Sequence, residues 1–161
     1  MVAIVTLLSC THRAPAHPPI AAPAIAPAIV PTLDEPGLAA LLRNPGDAVL
    51  VVSFWATWCR PCVEELALLA TAAAAHPDVR FALVSVDDAR DVQRVRTFVA
   101  THDHDLPYLH LVTDDTPEVL GRNVVRWPDI IPVTLVLEPG GATRIRFDGT
   151  LDADELDRSL R

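Results

Sequence analysis

At 161 residues, half of them hydrophobic and 21% charged, the chain is long enough for a core of its own and too apolar to be disordered. Its formal net charge of -8, with no cluster of basic residues, excludes the phosphate-neutralising stripe on which nucleic-acid affinity rests. Three cysteines, Cys10, Cys59 and Cys62, make no framework of structural disulfides; they read as one close pair and one outlier.

Met1 to Cys10 is apolar and ends in a small residue followed by cysteine. A bilayer span needs about 20 apolar residues, so this stretch is too short to cross. It resembles the end of a bacterial lipoprotein signal, with Leu7-Leu8-Ser9-Cys10 as the lipobox and Cys10 as the lipidated residue. It departs from that pattern in having no Lys or Arg ahead of the apolar run and in the bulk of Leu8. A start codon assigned too far downstream would explain both the brevity and the missing charge. The alternative is an ordinary N-terminal tail with an incidental cysteine. Behind it Pro15, Pro18, Pro19, Pro23, Pro27, Pro31 and Pro36 alternate with Ala, Ile and His. Such a run forms neither sheet nor continuous helix, and reads as an extended spacer of about 3.1 Å per residue where polyproline-like. The expected organisation is a shortened signal over 1–10, a Pro/Ala-rich linker over 11–36 in which folding begins near Thr32, and a domain over 37–161. Tethered through Cys10, that domain would face the periplasm from the bacterial cell envelope; untethered, the alternative is cytoplasmic.

Within the domain, Leu38, Leu41 and Leu42 have the spacing of a short amphipathic helix over Gly37 to Arg43, closed by Asn44-Pro45-Gly46. Ala48 to Trp55 is a near-continuous apolar run, suited to a strand buried on both faces. Val63 to His76 is rich in Ala and Leu and predicts a helix, with His76 near its C-terminal dipole and Pro77 ending it. Val79 to Val86 is a second strand, followed by Asp87-Asp88. Val92, Val95, Phe98 and Val99 repeat at helical spacing. Tyr108 to Val112 is a short strand in which His110, alternating with apolar neighbours, reads as exposed, and Pro117 to Asn123 is a short helix. Val133 to Leu137 and Thr143 to Phe147 form a hairpin about Pro139-Gly140-Gly141, and Asp152 caps a last helix to Leu160. Alternating β and α elements followed by a hairpin predict an α/β fold with a central mixed sheet flanked by helices on both faces.

The chemistry is concentrated in Phe54-Trp55-Ala56-Thr57-Trp58-Cys59-Arg60-Pro61-Cys62. A C-x-x-C pair also serves zinc, but at the junction of a buried strand and a helix it reads as a redox motif. At the helix N-terminus, unsatisfied N–H groups and the dipole stabilise a Cys59 thiolate. Cys62, three residues on, shares its face and lies within bonding reach. Pro61 is tolerated in the first turn, where its missing N–H has no acceptor, and Arg60 brings a positive charge that should lower the Cys59 pKa further. Trp58 belongs beside the site by position; Trp127, five residues before Pro132, is either core or a flank of the groove.

This segment is similar to the active site of the thioredoxin superfamily, and with Phe-Trp-Ala-Thr-Trp ahead of the first cysteine it looks most like the TlpA/ResA type of membrane-anchored thiol-disulfide reductases. The resemblance covers residues 45–160 and includes Ile131-Pro132-Val133-Thr134, which matches the family's cis-proline loop. It implies a thioredoxin-like fold, a cis bond before Pro132, and a groove in which Trp58, Arg60, Pro61, Ile131 and Pro132 border the cysteine pair, with the Ile131 backbone offered to substrate. It also implies that Cys59 attacks a partner's disulfide and Cys62 resolves the mixed disulfide, with protein thiols and disulfides as partners, an upstream dithiol as donor, and a monomeric domain. The dithiol pair is itself the redox centre, so neither cofactor nor metal is expected. Many thioredoxins carry a buried Asp where this chain has Ser53; the TlpA/ResA type commonly lacks it. Glu65, three residues past Cys62, reads as a solvated helix-face carboxylate, with assistance to Cys62 through water as the alternative.

Two readings compete. Cys59 and Cys62 could bind metal with His102-Asp103-His104-Asp105, although that stretch lacks the second matched ligand pair usual in zinc sites. A chaperone-like binding module could also use the scaffold, since fold does not dictate function.

Overall fold

The computed structural model describes residues 28–102 and 104–161. The signal expected over 1–10 with Cys10, the linker as far as residue 27, and Asp103 lie outside the described residues. The strands are β1 (Thr32–Leu33), β2 (Leu50–Trp55), β3 (Arg80–Ser85), β4 (Tyr108–Leu111), β5 (Val133–Leu137) and β6 (Thr143–Asp148). The helices are α1 (Glu35–Leu42), α2 (Arg60–Ala75), α3 (Val92–Thr101), α4 (Thr116–Asn123) and α5 (Ala153–Ser159), with a 3-10 turn at Ala89–Asp91. The sheet runs β1-β4-β3-β2-β5-β6; β1, β4, β3 and β2 are mutually parallel, and of the hairpin strands β5 is antiparallel to β2 and β6 antiparallel to β5.

Alternation along β2 divides the molecule into two cores. Val51 and Trp55 face Leu66 and Leu69 of α2, Val95 of α3 and Leu156 of α5. Leu50, Val52 and Phe54 face Leu38 of α1 and Val119 and Leu120 of α4. Every β2 residue is buried, which is why the strand reads as a continuous apolar run rather than an alternating one. Its C-terminal end therefore emerges between two packed layers, and the cysteine pair begins four residues later.

The domain starts earlier than the proline pattern implies. Within residues 28–36, expected to be linker with folding beginning near Thr32, Val30 is buried while Ile29 stays exposed, and β1 pairs with β4 through His110 N–H on the Pro31 carbonyl and Val112 N–H on that of Leu33. A two-residue edge strand tolerates flanking prolines because only alternate N–H groups face the sheet. α1 likewise begins at Glu35, because Asp34 caps it by accepting from Gly37 N–H at 2.8 Å and Pro36 sits in the first turn, where it costs nothing. With β1 outside it, β4 is an interior strand, so His110 is wholly buried rather than exposed.

Candidate active site

α2 starts at Arg60, three residues before the helix pattern suggests, because Cys59 is its N-cap. The Cys59 sulfur accepts from Cys62 N–H at 3.3 Å, one of the helix's orphan donors. Cys59 and Cys62 form a disulfide with S–S 1.97 Å and Cα–Cα 5.3 Å. They are 5% and 2% exposed, and only Cys59 opens into a surface depression. Pro61 occupies the first turn of α2. The Arg60 guanidinium donates to Glu64 at 2.8 Å in an exposed pair, so the charge expected to assist Cys59 is partly offset by a neighbouring carboxylate.

The depression, about 550 Å³, is lined by Trp58, Cys59, Pro61, Leu120, Trp127 and Ile131 among others. Trp58 is 65% and Ile130 51% exposed, an unusual display of large apolar side chains beside a reactive group. Trp127 serves both roles its position allows: it packs edge-on against Phe54, ring centroids 5.4 Å apart, while lining the depression. The Ile131–Pro132 bond is cis, in accord with the expectation for that loop. On the far side of Trp58 lies a second depression, about 540 Å³, with Asp88, Arg90, Asp114 and Asp115 in its wall. A third, about 560 Å³ and lined by Arg43, Arg122, Arg126 and Arg146, shares no residue with either; Arg122 and Arg146 are committed there to Glu35 and Asp148.

Within β2, Ser53 receives a hydrogen bond from the Thr134 hydroxyl at 3.0 Å, both side chains buried. A hydroxyl pair cannot take a proton from Cys62 near neutral pH. Glu65 departs from expectation. It is 6% exposed, not solvated; one oxygen accepts from Leu151 N–H at 2.6 Å and the other is buried without a partner. Burial pushes its carboxyl above the ordinary 4.5, against the lowering effect of the Leu151 bond. It sits on α2 but faces the loop before α5, which the helix pattern cannot reveal.

Asp87 is a site residue that no motif in the sequence marks. This buried carboxylate accepts from the Thr57 backbone and hydroxyl, two residues ahead of Cys59. His102, singled out as a metal-ligand candidate, stacks on Phe98 at 3.8 Å and turns Nδ1 to the Phe98 carbonyl. His76 caps α2 and contacts Asp157 at 2.8 Å. Among the described residues no group of three or more His, Cys, Asp or Glu converges as for a metal ion.

The sequence profile described as thioredoxin matches residues 38–118. The thioredoxin-like protein YneN of Bacillus subtilis (strain 168) is 27% identical over 127 residues, 77% of this chain and 70% of that protein. A thioredoxin of Ophiophagus hannah is 43% identical over 53 residues, 33% of this chain; the chain spans about half the length of that relative, 50%. Among solved structures, dsbF of MTB, determined in mixed oxidized and reduced forms, matches with TM-score 0.53 at 27% identity, over 71% of this chain and 79% of that one. A buried strand followed by a cysteine pair, a helix capped by the first sulfur and a cis-proline turn at the head of a hairpin thus coincide with a profile covering half the chain: it belongs to the thioredoxin family.

Proposed function

We propose that the chain is a thiol-disulfide oxidoreductase that exchanges disulfides with partner proteins, with Cys59 as nucleophile, Cys62 as resolving thiol and no cofactor beyond this pair. The observation that carries the reading is the Cys59–Cys62 bridge at the head of α2, one sulfur opening to an apolar groove and the other covered. In the reduced protein, the Cys62 N–H and the helix dipole favour the Cys59 thiolate. That thiolate attacks one sulfur of a partner disulfide; a Cys59–partner bond forms and the second partner sulfur leaves as a thiolate. Cys62 then loses its proton and attacks the Cys59 sulfur, expelling the first partner sulfur. The partner gains two electrons and, from solvent, two protons; the protein is left as the disulfide seen here. An upstream dithiol must reduce it again, and the same steps reversed oxidise a partner.

Trp58, Pro61, Ile131 and Pro132 would border the bound partner segment. The likeness to dsbF of MTB, a protein with both oxidized and reduced forms, supports cycling between the two states. The TlpA/ResA-like sequence of the site supports the reducing direction. The Pro-rich stretch and Cys10 support a domain, taken as monomeric, that is tethered by lipid to the bacterial envelope and faces the periplasm.

Insulin reduction in the presence of dithiothreitol tests the exchange. Cys59→Ser and Cys62→Ser should each fall to the uncatalysed rate, and Cys62→Ser should accumulate a mixed disulfide through Cys59. Catalysis that survives Cys59→Ser would sink the reading.

A further inference from the structure

Cys59 reaches the helix through the turn Ala56-Thr57-Trp58-Cys59, closed by Cys59 N–H on the Ala56 carbonyl at 3.1 Å. The turn contains no Pro to fix a φ, so its local restraint is that hydrogen bond. Further restraint comes from beyond the end of β3. Asp87 is wholly buried; its Oδ2 accepts from Thr57 N–H at 2.9 Å and from the Ser85 hydroxyl at 2.8 Å, while Oδ1 accepts from the Thr57 hydroxyl at 2.5 Å. Val86 N–H on the Trp55 carbonyl, at 2.8 Å, ties the same two segments together. Behind Asp87 lies the buried His110, its Nε2 3.1 Å from the Asp87 carbonyl oxygen. A carbonyl only accepts, so Nε2 carries the hydrogen.

A carboxylate withdrawn from water is expensive unless its lone pairs are met, and an apolar side chain could end a strand more cheaply. Here both oxygens are engaged and two of the three donors belong to Thr57. The charge at this depth is explained by what it holds. None of these hydrogen bonds joins Asp87 to a sulfur; its link to the cysteine pair runs through Thr57.

We propose that Asp87 is a positioning residue: through Thr57 it fixes the turn so that the Cys59 sulfur stays at the N-cap of α2, facing Cys62 N–H. This rests on the exchange reading, in which a stabilised Cys59 thiolate is the nucleophile. Thr57→Val keeps the shape of the side chain and removes the hydroxyl; Thr57→Ser keeps the hydroxyl. In reduced full-length protein, with Cys62→Ser isolating one thiol of the pair, the ultraviolet thiolate absorbance is titrated against pH. With Thr57→Val the Cys59 midpoint should rise by about one pH unit, a ten-fold loss of thiolate on the acid side; Thr57→Ser should restore the original midpoint. A purely structural role would lower Tm and leave the midpoint in place. If the protein reduces insulin but the parent, Thr57→Val and Thr57→Ser forms titrate alike, this inference is overturned and the exchange reading stands. The same holds if Thr57→Ser displaces the midpoint as far as Thr57→Val does. Protein that reduces no insulin would overturn the exchange reading, and this inference with it.

Discussion

Glu65 stands one turn beyond Cys62 with one oxygen bonded to Leu151 N–H and one bonded to nothing. Because burial raises its carboxyl pKa in the folded state, between the unfolded and the folded pKa the folded protein keeps a proton that the unfolded chain releases. Its contribution to stability is therefore fully present below the unfolded value near 4.5 and is lost as pH rises through the higher folded value. Glu65→Gln cannot ionise, and its amide oxygen can still accept from Leu151. Relative to the parent, it should gain stability between about pH 4 and pH 7, and denaturant midpoints at the two pH values would measure that gain. Equal differences at both would mean that the carboxyl is not held protonated by its surroundings. Ser53 illustrates a different economy at the same depth: bonded to Thr134, it satisfies a buried position without charge.

At the scale of elements, the junction of α1 with the β5–β6 hairpin shows how local rules and a long-range contact meet. Asn44 ends α1 at φ 38°, a left-handed position that Asn tolerates, and its amide donates to the Ala48 and Glu138 carbonyls at 2.8 and 3.0 Å. Gly141, at φ 88°, comes so close that a Cβ would stand 2.5 Å from the Leu42 carbonyl oxygen. Gly141→Ala combines an unfavourable backbone with a clash against backbone that cannot swing aside, and should cost about 2–3 kcal/mol. Equilibrium denaturation would register it. A loss under about half a kcal/mol, within the range of an ordinary surface substitution, would show that the hairpin can lift off α1.

The turn residues around Asn44 and Gly140-Gly141 are legible in the sequence because their chemistry is local, and so are the cysteine pair and the buried run of β2. β1 is not: Thr32 and Leu33 are strand only because β4 is beside them, and without β1 the sequence makes β4 an edge and His110 a surface residue. Asp87 is hidden for the same reason, its partner Thr57 lying 30 positions away. Glu65 escapes a sequence reading because periodicity tells which way a helix side chain points but not that the loop before α5 covers it.

At the scale of the whole molecule, charge bears on which partners arrive. The chain carries a net charge of -8, and next to the reactive groove, across Trp58, lies the depression walled by Asp88, Asp114 and Asp115. Arg90 offsets one of these: its hydrogen bonds hold the Asp88 carboxyl well below the usual carboxylate range. The remaining field favours encounter with cationic segments and opposes anionic ones, acting on the association rate more than on the chemical step. A small peptide disulfide flanked by Arg should therefore be reduced faster than its Glu-flanked counterpart. Exposed charge pairs contribute up to about 1 kcal/mol each, so a ratio of roughly five-fold is expected at low salt. It should shrink toward unity near 1 M salt, where the screening length falls to about 3 Å. Reduction rates of the two peptides across a salt series would measure this directly. A ratio that ignores salt would assign discrimination to contacts within the apolar groove, and faster reduction of the Glu peptide would show that the acidic wall does not face the approaching partner.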